Sequence, residues 1–532
     1  MSNSDELKHH AGLLKTGRMS RREFVARAAA LGVTVPLATA IAADVGYAAA
    51  PKTGGRFRMA LGGGASTDTL NPTTFSETYM QTLGYGLRNC LAEMNQNDEL
   101  VPELAESWEA STDAKTWKIT LRQGVEFHNG KTFDADDAIA SLQLHLGPDT
   151  SSPAAALLKT VESVEKDGNN AFVVKLSEGN VGFPALLTDY HIVMMPAVDG
   201  VLDIDSGTGT GAFSLKEFKP GVSALLERNP NYWKEGAGHF DEVELLSVKD
   251  VNARTNSLVA GDVHAADRLD LKTLKLFQRS QPDIKIHDIE GSQWYGFPMM
   301  VDRDPFTDNN VRLALKHAIN REQMLETLLF GHGSVANDNP IGKSYKYYTE
   351  LPQNSYDPDK AKFYLKEAGL SELSVQLHAA NAAFAGAVDA ATLFSEGARA
   401  AGITLEPVRT PDDGYWGEVN RVVPWSATYW NPRVTEDMMF SMAFTPDAPW
   451  NESNWSNDRF NALLKDARLE FDEAKRGDMY AEMQKICTEE NGYIIPLFAN
   501  FVFATSKDVQ FGNIATSWDL DGTKALERWW MA

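Results

Sequence analysis

Three large aromatic side chains lie close together in one short segment of the sequence. Trp425, Tyr429 and Trp430 fall within six residues, and Pro424 and Pro432 flank them. The prolines predict a loop at the end of a strand. Rings on such a loop could form a stacking surface for a ligand, because each ring offers a large contact area at low entropic cost. A hydrophobic plug between two lobes is the alternative, and the sequence leaves both interpretations open.

Other segments that could do chemistry have contexts that favour structural roles. The pair Asp136-Asp137 is placed to cap a helix that begins near Ala135. The glycines at 207–211 lack the lysine and the following helix of a phosphate loop, so a tight turn is expected. The sequence has no His-Glu-x-x-His and no Gly-x-Ser-x-Gly motif. We therefore expect no catalytic residue, no metal ligand and no cofactor.

Strand and helix patterns alternate along the chain after residue 50. Alternating hydrophobicity predicts strands at 117–121, 172–176 and 213–218. Capping residues and apolar periodicity predict helices at 308–329, at 358–369 and twice between 457 and 490. Mixed strands and helices over 532 residues predict α/β lobes.

The composition is strongly acidic. Asp and Glu number 73 against 50 Lys and Arg, which gives a net charge of −23. This charge argues against a nucleic-acid partner, because the phosphates would be repelled.

The first fifty residues have the pattern of an export signal. Six basic residues precede a weakly apolar run from Ala28 to Ala43, and small residues surround position 48. The segment 19–25 resembles a twin-arginine signal, which exports proteins already folded. We expect cleavage after Ala48, a periplasmic mature chain and no lipid anchor, since no cysteine follows the run. A cytosolic amphipathic helix is the alternative.

Cys90 and Cys487 are the only cysteines. Two cysteines exclude a disulfide scaffold and a cysteine-ligated zinc module. Folding in the reducing cytosol before export favours two buried free thiols, although a disulfide in the periplasm stays open.

Six segments match, in order, the signatures of one family; they are 70–72, 102–108, 121–130, 207–233, 305–315 and 356–361. With these the chain resembles the family-5 solute-binding proteins of ABC importers. The resemblance implies an α/β, type II-like, two-lobed periplasmic binding protein with an additional middle domain. The expected divisions are a signal peptide at 1–48, lobe I at 49–95, 205–290 and 490–532, domain II at 96–204, and lobe III at 291–489.

The resemblance also implies a function. A monomer would close its lobes on a small solute and deliver it to a membrane permease, behind which ATPase subunits act. No catalysis is implied. A periplasmic hydrolase of amides or glycosides is a less favoured alternative.

Family ligand positions map onto nine residues, which are Tyr79, Met80, Asp189, Tyr190, His191, Trp425, Thr428, Tyr429 and Trp430. Thr428 stands where the peptide-binding branch has an aspartate for the amino group. Asp189 stands in the loop where the nickel-chelate branch has an arginine for carboxylates. These departures favour a neutral, cationic or differently held peptide-like solute. The Trp425–Tyr429 spacing keeps a nickel-chelate-like ligand as the alternative.

Overall fold

The computed structural model describes residues 51–532 except Pro449, and residues 24, 27, 28, 31 and 33 of the preceding segment. The expected cleavage site and the paired arginines of the predicted export signal lie outside the described residues. Among the described helices, none combines the length and the apolar character needed to cross a bilayer.

The strands, in chain order, are β1 Arg56–Leu61, β2 Ala92–Met94, β3 Leu100–Pro102, β4 Ala105–Ala110, β5 Thr116–Leu121, β6 Val161–Lys166, β7 Ala171–Leu176, β8 Ala197–Val198, β9 Val201–Leu202, β10 Phe213–Lys219, β11 Ser223–Arg228, β12 Glu242–Ser247, β13 Ala265–Ala266, β14 Ile284–Pro298, β15 Gly333–Val335, β16 Leu373–Ala379, β17 Ile403–Arg409, β18 Thr428–Trp430, β19 Tyr493–Ser506, β20 Val509–Gln510 and β21 Trp530–Met531.

The helices, in chain order, are α1 Thr78–Leu87, α2 Ala135–Gln143, α3 Phe183–Leu186, α4 Val251–Val259, α5 Leu274–Ser280, α6 Asn309–Ala318, α7 Arg321–Leu328, α8 Pro358–Glu367, α9 Ala387–Arg399, α10 Tyr415–Glu418, α11 Glu436–Ala443, α12 Asp458–Ala467, α13 Glu473–Glu490, α14 Asp519–Gly522 and α15 Ala525–Arg528.

One large mixed sheet runs through the molecule. Its strand order in the described chain is β10-β11-β12-β1-β13-β19-β14-β18, with β15 also paired to β19. β1 pairs with β12 and β13 in parallel, whereas β19 pairs with β13 and β14 in antiparallel fashion. A four-stranded antiparallel sheet, β4-β5-β7-β6, and a parallel pair, β16-β17, lie apart from it. The predicted α/β composition is confirmed.

The long strands β14 and β19 join separate hydrophobic cores. Phe503 of β19 lies in a core with residues of β1 and β12, whereas Ile494 and Leu497 lie in a second core with residues of β16, β17 and α9. The β14–β19 ladder is interrupted between Ile289, which pairs with Phe501, and Gln293, which pairs with Ala499. Two crossing strands with a local irregularity therefore connect two halves of the molecule.

Local sequence signals position most elements as expected. The strands predicted near 117, 172 and 213 are β5, β7 and β10, and the helix after Asp357 is α8, with Asp357 as its N-cap and proline at its first turn. The two helices expected between 457 and 490 are α12 and α13. These predictions are confirmed.

The prediction of a single helix over 308–329 is wrong, because two helices, α6 and α7, occupy this range. The chain leaves the helical conformation at Ile319, and the Asn320 side chain accepts a hydrogen bond from the Gln323 backbone N–H to begin α7. An asparagine side chain competes for backbone groups in this way, so it ends one helix and caps the next. The cap of α2 also differs from expectation, because Asp134 is the N-cap and Asp137 completes a capping box.

The glycine-rich segment 207–211 lies against the end of α1. The Gly211 backbone N–H donates to the Leu87 carbonyl at 2.9 Å, and a Cβ atom added at Gly209 would come within 2.1 Å of the same oxygen. Strand β10 follows, not a helix. The segment therefore serves close backbone packing. Elsewhere, Cys90 and Cys487 are both buried and free, which confirms the expected thiols.

A buried ion pair anchors the start of α7. The Arg321 Nη2 donates to both oxygens of Asp338, at 2.8 and 2.7 Å, and both side chains are almost wholly buried. Asp338 also accepts hydrogen bonds from the Ile495 backbone of β19 and from the Asn354 side chain. The pair therefore holds α7 against the crossing strand.

We expect Asp338→Asn to lower the free energy of unfolding by about 3–5 kcal/mol, because it leaves a buried guanidinium without its counter-charge. Chemical denaturation measures the change. Glu473→Gln is the matched control, since it breaks an ion pair with Lys346 whose side chains are both more than half exposed. That variant should lose less than about 1 kcal/mol. Equal losses in both variants would contradict the interpretation.

Candidate ligand-binding cavity

A cavity of about 240 Å³ lies where distant parts of the chain meet. Its walls come from residues 75–94, 153–191, 433–450 and 517–524. Apolar side chains make up much of the lining; among them are Phe75, Leu157, Val434, Met438, Met442 and Trp518. A concave, mainly apolar site with a few polar groups is typical of small-molecule binding.

The predicted residues Asp189, Tyr190 and His191 line this cavity. His191 Nδ1 lies 2.6 Å from Asp189 Oδ1, and Nε2 lies 3.0 Å from the Phe75 carbonyl oxygen. Both partners are oxygen acceptors, so each ring nitrogen of His191 already has a close polar partner. Burial raises the pKa of Asp189, but the charge and hydrogen bonds of His191 outweigh it and hold the pKa below the ordinary value. The two side chains therefore form a closely hydrogen-bonded pair in the cavity wall.

Tyr190 lies over this pair. Its ring centroid is 4.0 Å from that of His191 and 6.0 Å from that of Trp518, which it meets edge-on. Burial and the neighbouring Asp189 charge raise the pKa of Tyr190, so the phenol is neutral at physiological pH. Tyr190 thus offers a neutral aromatic surface to the cavity.

Trp425 lies in the protein core. Its side chain is fully buried, its indole N–H donates to the Phe297 carbonyl at 3.2 Å, and its ring meets Phe306 and Phe394 edge-on. The ring is not part of the cavity wall. This placement favours the packing interpretation that the sequence left open.

Thr428 and Trp430 both bind one buried carboxylate. Thr428 Oγ1 donates to Glu452 at 2.9 Å, and the Trp430 indole N–H donates to its other oxygen at 3.2 Å. The predicted loop is wrong here, because 428–430 forms the edge strand β18, paired with β14. Trp430 also stacks on Trp294 with centroids 5.9 Å apart. Through these contacts, Thr428 and Trp430 both fix β18 to the body of the protein.

Tyr429 points the other way on β18 and is 37% exposed. Its ring meets Trp416 edge-on at 5.9 Å. It lies near enough to Tyr190, Tyr295 and Arg268 to influence them electrostatically. Of the three residues in the predicted aromatic cluster, Tyr429 is the one that remains accessible.

Tyr79 and Met80 lie in α1 and are almost wholly buried in the core that contains β1. Neither lines the cavity. The Tyr79 hydroxyl is buried and makes no hydrogen bond within the described residues. Tyr190 packs against the same core, so Tyr79 and Met80 lie behind the residues of the wall and not in it.

Two cations of the cavity wall were missed from the sequence, Arg433 and Lys524. Arg433 directly follows the flanking Pro432, so a search for charges beside the aromatic cluster could have found it. Lys524 has no local signal, because its place depends on the fold of the C-terminal segment.

Lys524 belongs to a buried ionic network. Its ammonium lies 2.6 Å from both Glu93 and Glu103, and Lys234 lies 2.7 Å from Glu527 and 2.9 Å from Glu93. The three carboxylates are close enough to hold a metal ion. Lysine ammonium groups already bind them, so the cluster links the segment 93–103 to the C-terminal segment beside the cavity through ion pairs.

Comparison with known proteins supports this architecture. Residues 99–452 match the family described as bacterial extracellular solute-binding proteins, family 5 Middle. The chain belongs to this family. A glutathione-binding protein, GsiB, of Pectobacterium atrosepticum is 24% identical over 84% of this chain and 89% of its own length.

Two solved structures show the same fold. The binding protein AgaA of A. tumefacien R10, in complex with agropinic acid, is 22% identical, has a TM-score of 0.76 and covers 90% of this chain and 99% of its own. NikZ of Campylobacter jejuni, in complex with Ni(L-His), is 19% identical, has a TM-score of 0.75 and covers 89% of this chain and 99% of its own. The two-lobed binding-protein fold is thereby confirmed.

An acidic pair lies just behind the cavity wall. Asp519 follows Trp518 and is buried, and Asp267 is buried with one oxygen that makes no hydrogen bond within the described residues. Burial and the Asp267 charge raise the pKa of Asp519 from 3.8 to about 7. The folded protein therefore keeps a proton on Asp519 that the unfolded chain releases at lower pH.

We expect Trp425→Ala to lower the free energy of unfolding by about 3–5 kcal/mol, since it opens a cavity in a packed core. Trp416→Ala, at a ring that is 44% exposed, is the matched control and should lose less than about 1 kcal/mol. Urea denaturation of the two variants measures the difference. A Trp425→Ala variant as stable as the wild type would refute core packing.

We expect Asp519→Asn to change how stability depends on pH. Because the pKa of Asp519 is higher in the folded state, its proton stabilises that state. This contribution is fully present below pH 3.8, the ordinary pKa, and is lost as the pH rises through about 7. The asparagine variant is neutral throughout, so its stability relative to wild type should rise between pH 5 and pH 8. Melting temperatures at intervals across this range test it, with exposed Asp478→Asn as the control. Parallel pH curves for wild type and Asp519→Asn would contradict it.

Proposed function

We propose that this protein is the periplasmic solute-binding subunit of an ABC importer and that it holds a small peptide-like solute in the cavity described above. The observation that carries the proposal is the enclosure of this cavity by separate parts of a family-5 binding fold. The relative from Pectobacterium atrosepticum is named for binding glutathione, itself a small peptide.

The proposed movement is closure of two lobes about the crossing strands β14 and β19. In this division, lobe I comprises 49–95, 205–290 and 490–532, domain II comprises 96–204, and lobe III comprises 291–489. Wall residues 75–94 and 517–524 then belong to lobe I, 153–191 to domain II and 433–450 to lobe III. A solute bound between them would favour the closed form through its contacts to both sides.

A nickel-chelate-like ligand is the alternative, and its mode of binding is restricted. Both ring nitrogens of His191 already lie against oxygen acceptors, at 2.6 and 3.0 Å. An imidazole without a free nitrogen cannot coordinate a metal ion. A chelate would have to be recognised through its organic groups.

The remaining expectations belong to the same proposal. The chain is exported through a twin-arginine signal, is cleaved after Ala48 and carries no lipid anchor. It acts as a monomer without catalysis, and it passes its solute to a membrane permease with ATPase subunits behind it. A hydrolase would need a nucleophile and base, or two working carboxylates, in the cavity. The Asp189–His191 pair has its hydrogen bonds directed to each other and to Phe75.

A thermal-shift panel tests the proposal on the full mature chain. Alanyl-leucine, glutathione, spermidine, glucose and the nickel–histidine complex are the probes. A native-state ligand at a hundredfold excess over Kd stabilises by about 2.7 kcal/mol. We expect a concentration-dependent rise in Tm with a peptide and no consumption of it by chromatography. No shift with any class, or hydrolysis of the peptide, would refute the proposed function.

A further inference from the structure

Arg433 differs from the other charged side chains of the cavity wall in its partners. Its backbone N–H donates to the Tyr345 hydroxyl at 2.9 Å, its Nε to the Met442 sulfur at 3.3 Å, and its Nη1 to carbonyl oxygens of the two preceding residues. The guanidinium carbon lies 5.4 Å from the Trp430 ring centroid. Neutral groups therefore hold this cation in place.

The other nitrogen of the guanidinium, Nη2, has no hydrogen bond among the described residues. No carboxylate of the described chain lies within the 4.0 Å of an ion pair with Arg433. Since the residue is only partly exposed, its charge has lost part of its hydration without gaining a counter-ion. A partly desolvated, unpaired guanidinium favours the arrival of an anion.

The other charges of the wall are already compensated. Lys524 is paired with Glu93 and Glu103 at 2.6 Å, and Asp189 is paired with His191 at 2.6 Å. Asp189 is near enough to Arg433 to interact electrostatically, but its own partner is His191. Arg433 therefore supplies the uncompensated charge of the cavity.

We infer that Arg433 is the anion-binding residue of the cavity and that the captured solute presents a carboxylate to it. This inference rests on the proposed function and names the chemistry of the solute at one end. Met442, Trp430 and the two carbonyl groups hold the guanidinium in position before the solute arrives, which reduces the entropy lost on binding. The apolar wall of Phe75, Val434 and Met438 would take the rest of the solute.

A carboxylate fits this site better than a phosphate. Arg433 offers one terminal nitrogen, whereas a phosphate carries about two negative charges and several acceptor oxygens that would need further donors. The nearby Lys524 already donates to two glutamates, so its charge is compensated and adds no free positive charge for a second phosphate charge. A single carboxylate matches the single charge.

The test pairs one change in the ligand with one in the protein. Alanyl-leucine and its C-terminal amide, which differ only in the carboxylate, are titrated calorimetrically into the full mature wild type and into Arg433→Gln. We expect the loss of the carboxylate, or of the guanidinium, to weaken binding by at least about 30-fold. The amide ligand with Arg433→Gln should bind no more weakly than either change alone, because both changes remove the same interaction.

Controls separate this role from a purely structural one. Arg459→Gln removes an exposed arginine of the same lobe, paired with Glu482, and should bind the peptide as wild type does. Arg433→Lys keeps the charge and should retain more affinity than Arg433→Gln. Melting of each variant without ligand reports folding, so a folded Arg433→Gln variant that has lost only the carboxylate-dependent affinity supports the inference.

Two kinds of result would overturn it. Equal affinity for the peptide and its amide, or wild-type affinity in Arg433→Gln, would overturn the inference while solute binding itself stands. So would binding of spermidine or glycerol 3-phosphate in place of alanyl-leucine and glutathione. Failure of every solute class to bind would instead refute the proposed function, and the two failures are thereby distinguished.

Discussion

The antiparallel pairing of β14 with β19 is the constraint on which the rest of the structure depends. These strands pair from residue 284 to residue 298, and they contribute to hydrophobic cores on both sides of the interruption near Gln293. Because both strands run without a break from one core to the other, the two halves stay joined along this paired ribbon. The Arg321–Asp338 pair adds to it, since Asp338 also accepts from the Ile495 backbone of β19.

The ionic network beside the cavity is a second constraint, because buried charges need partners of opposite sign. Glu93 and Glu103 belong to the first fifth of the chain, whereas Lys524 and Glu527 lie within ten residues of its C-terminus. Charged groups are tolerated there because each has a partner of opposite sign within a few ångströms. The network therefore brings the C-terminal segment to the cavity and fixes Trp518 and Lys524 in its wall.

Local signals predicted much of the fold, since caps and alternating hydrophobicity act over a few residues. They failed at Asn320, where a side chain ended one helix and capped the next. The site was harder to predict. Trp425 and Tyr429 are four residues apart, yet one is fully buried and the other 37% exposed. Family resemblance singled out Asp189, which lines the cavity. Arg433 reaches the same wall only through long-range packing, which no local sequence pattern encodes.

The interruption in the β14–β19 ladder has a mechanical consequence. Residues 290–292 on β14 face the single residue Asn500 on β19, as in a β-bulge, which bends a strand and increases its twist. Gly291 lies at this point, and a Cβ atom there would come within 2.6 Å of the Phe501 ring. The ladder shifts register again between Tyr295 and Phe297, so the irregular pairing, and with it the capacity of the strands to bend, is concentrated between residues 289 and 297 of β14. The distance through which the two halves can move relative to each other is then set by the geometry of this irregular stretch.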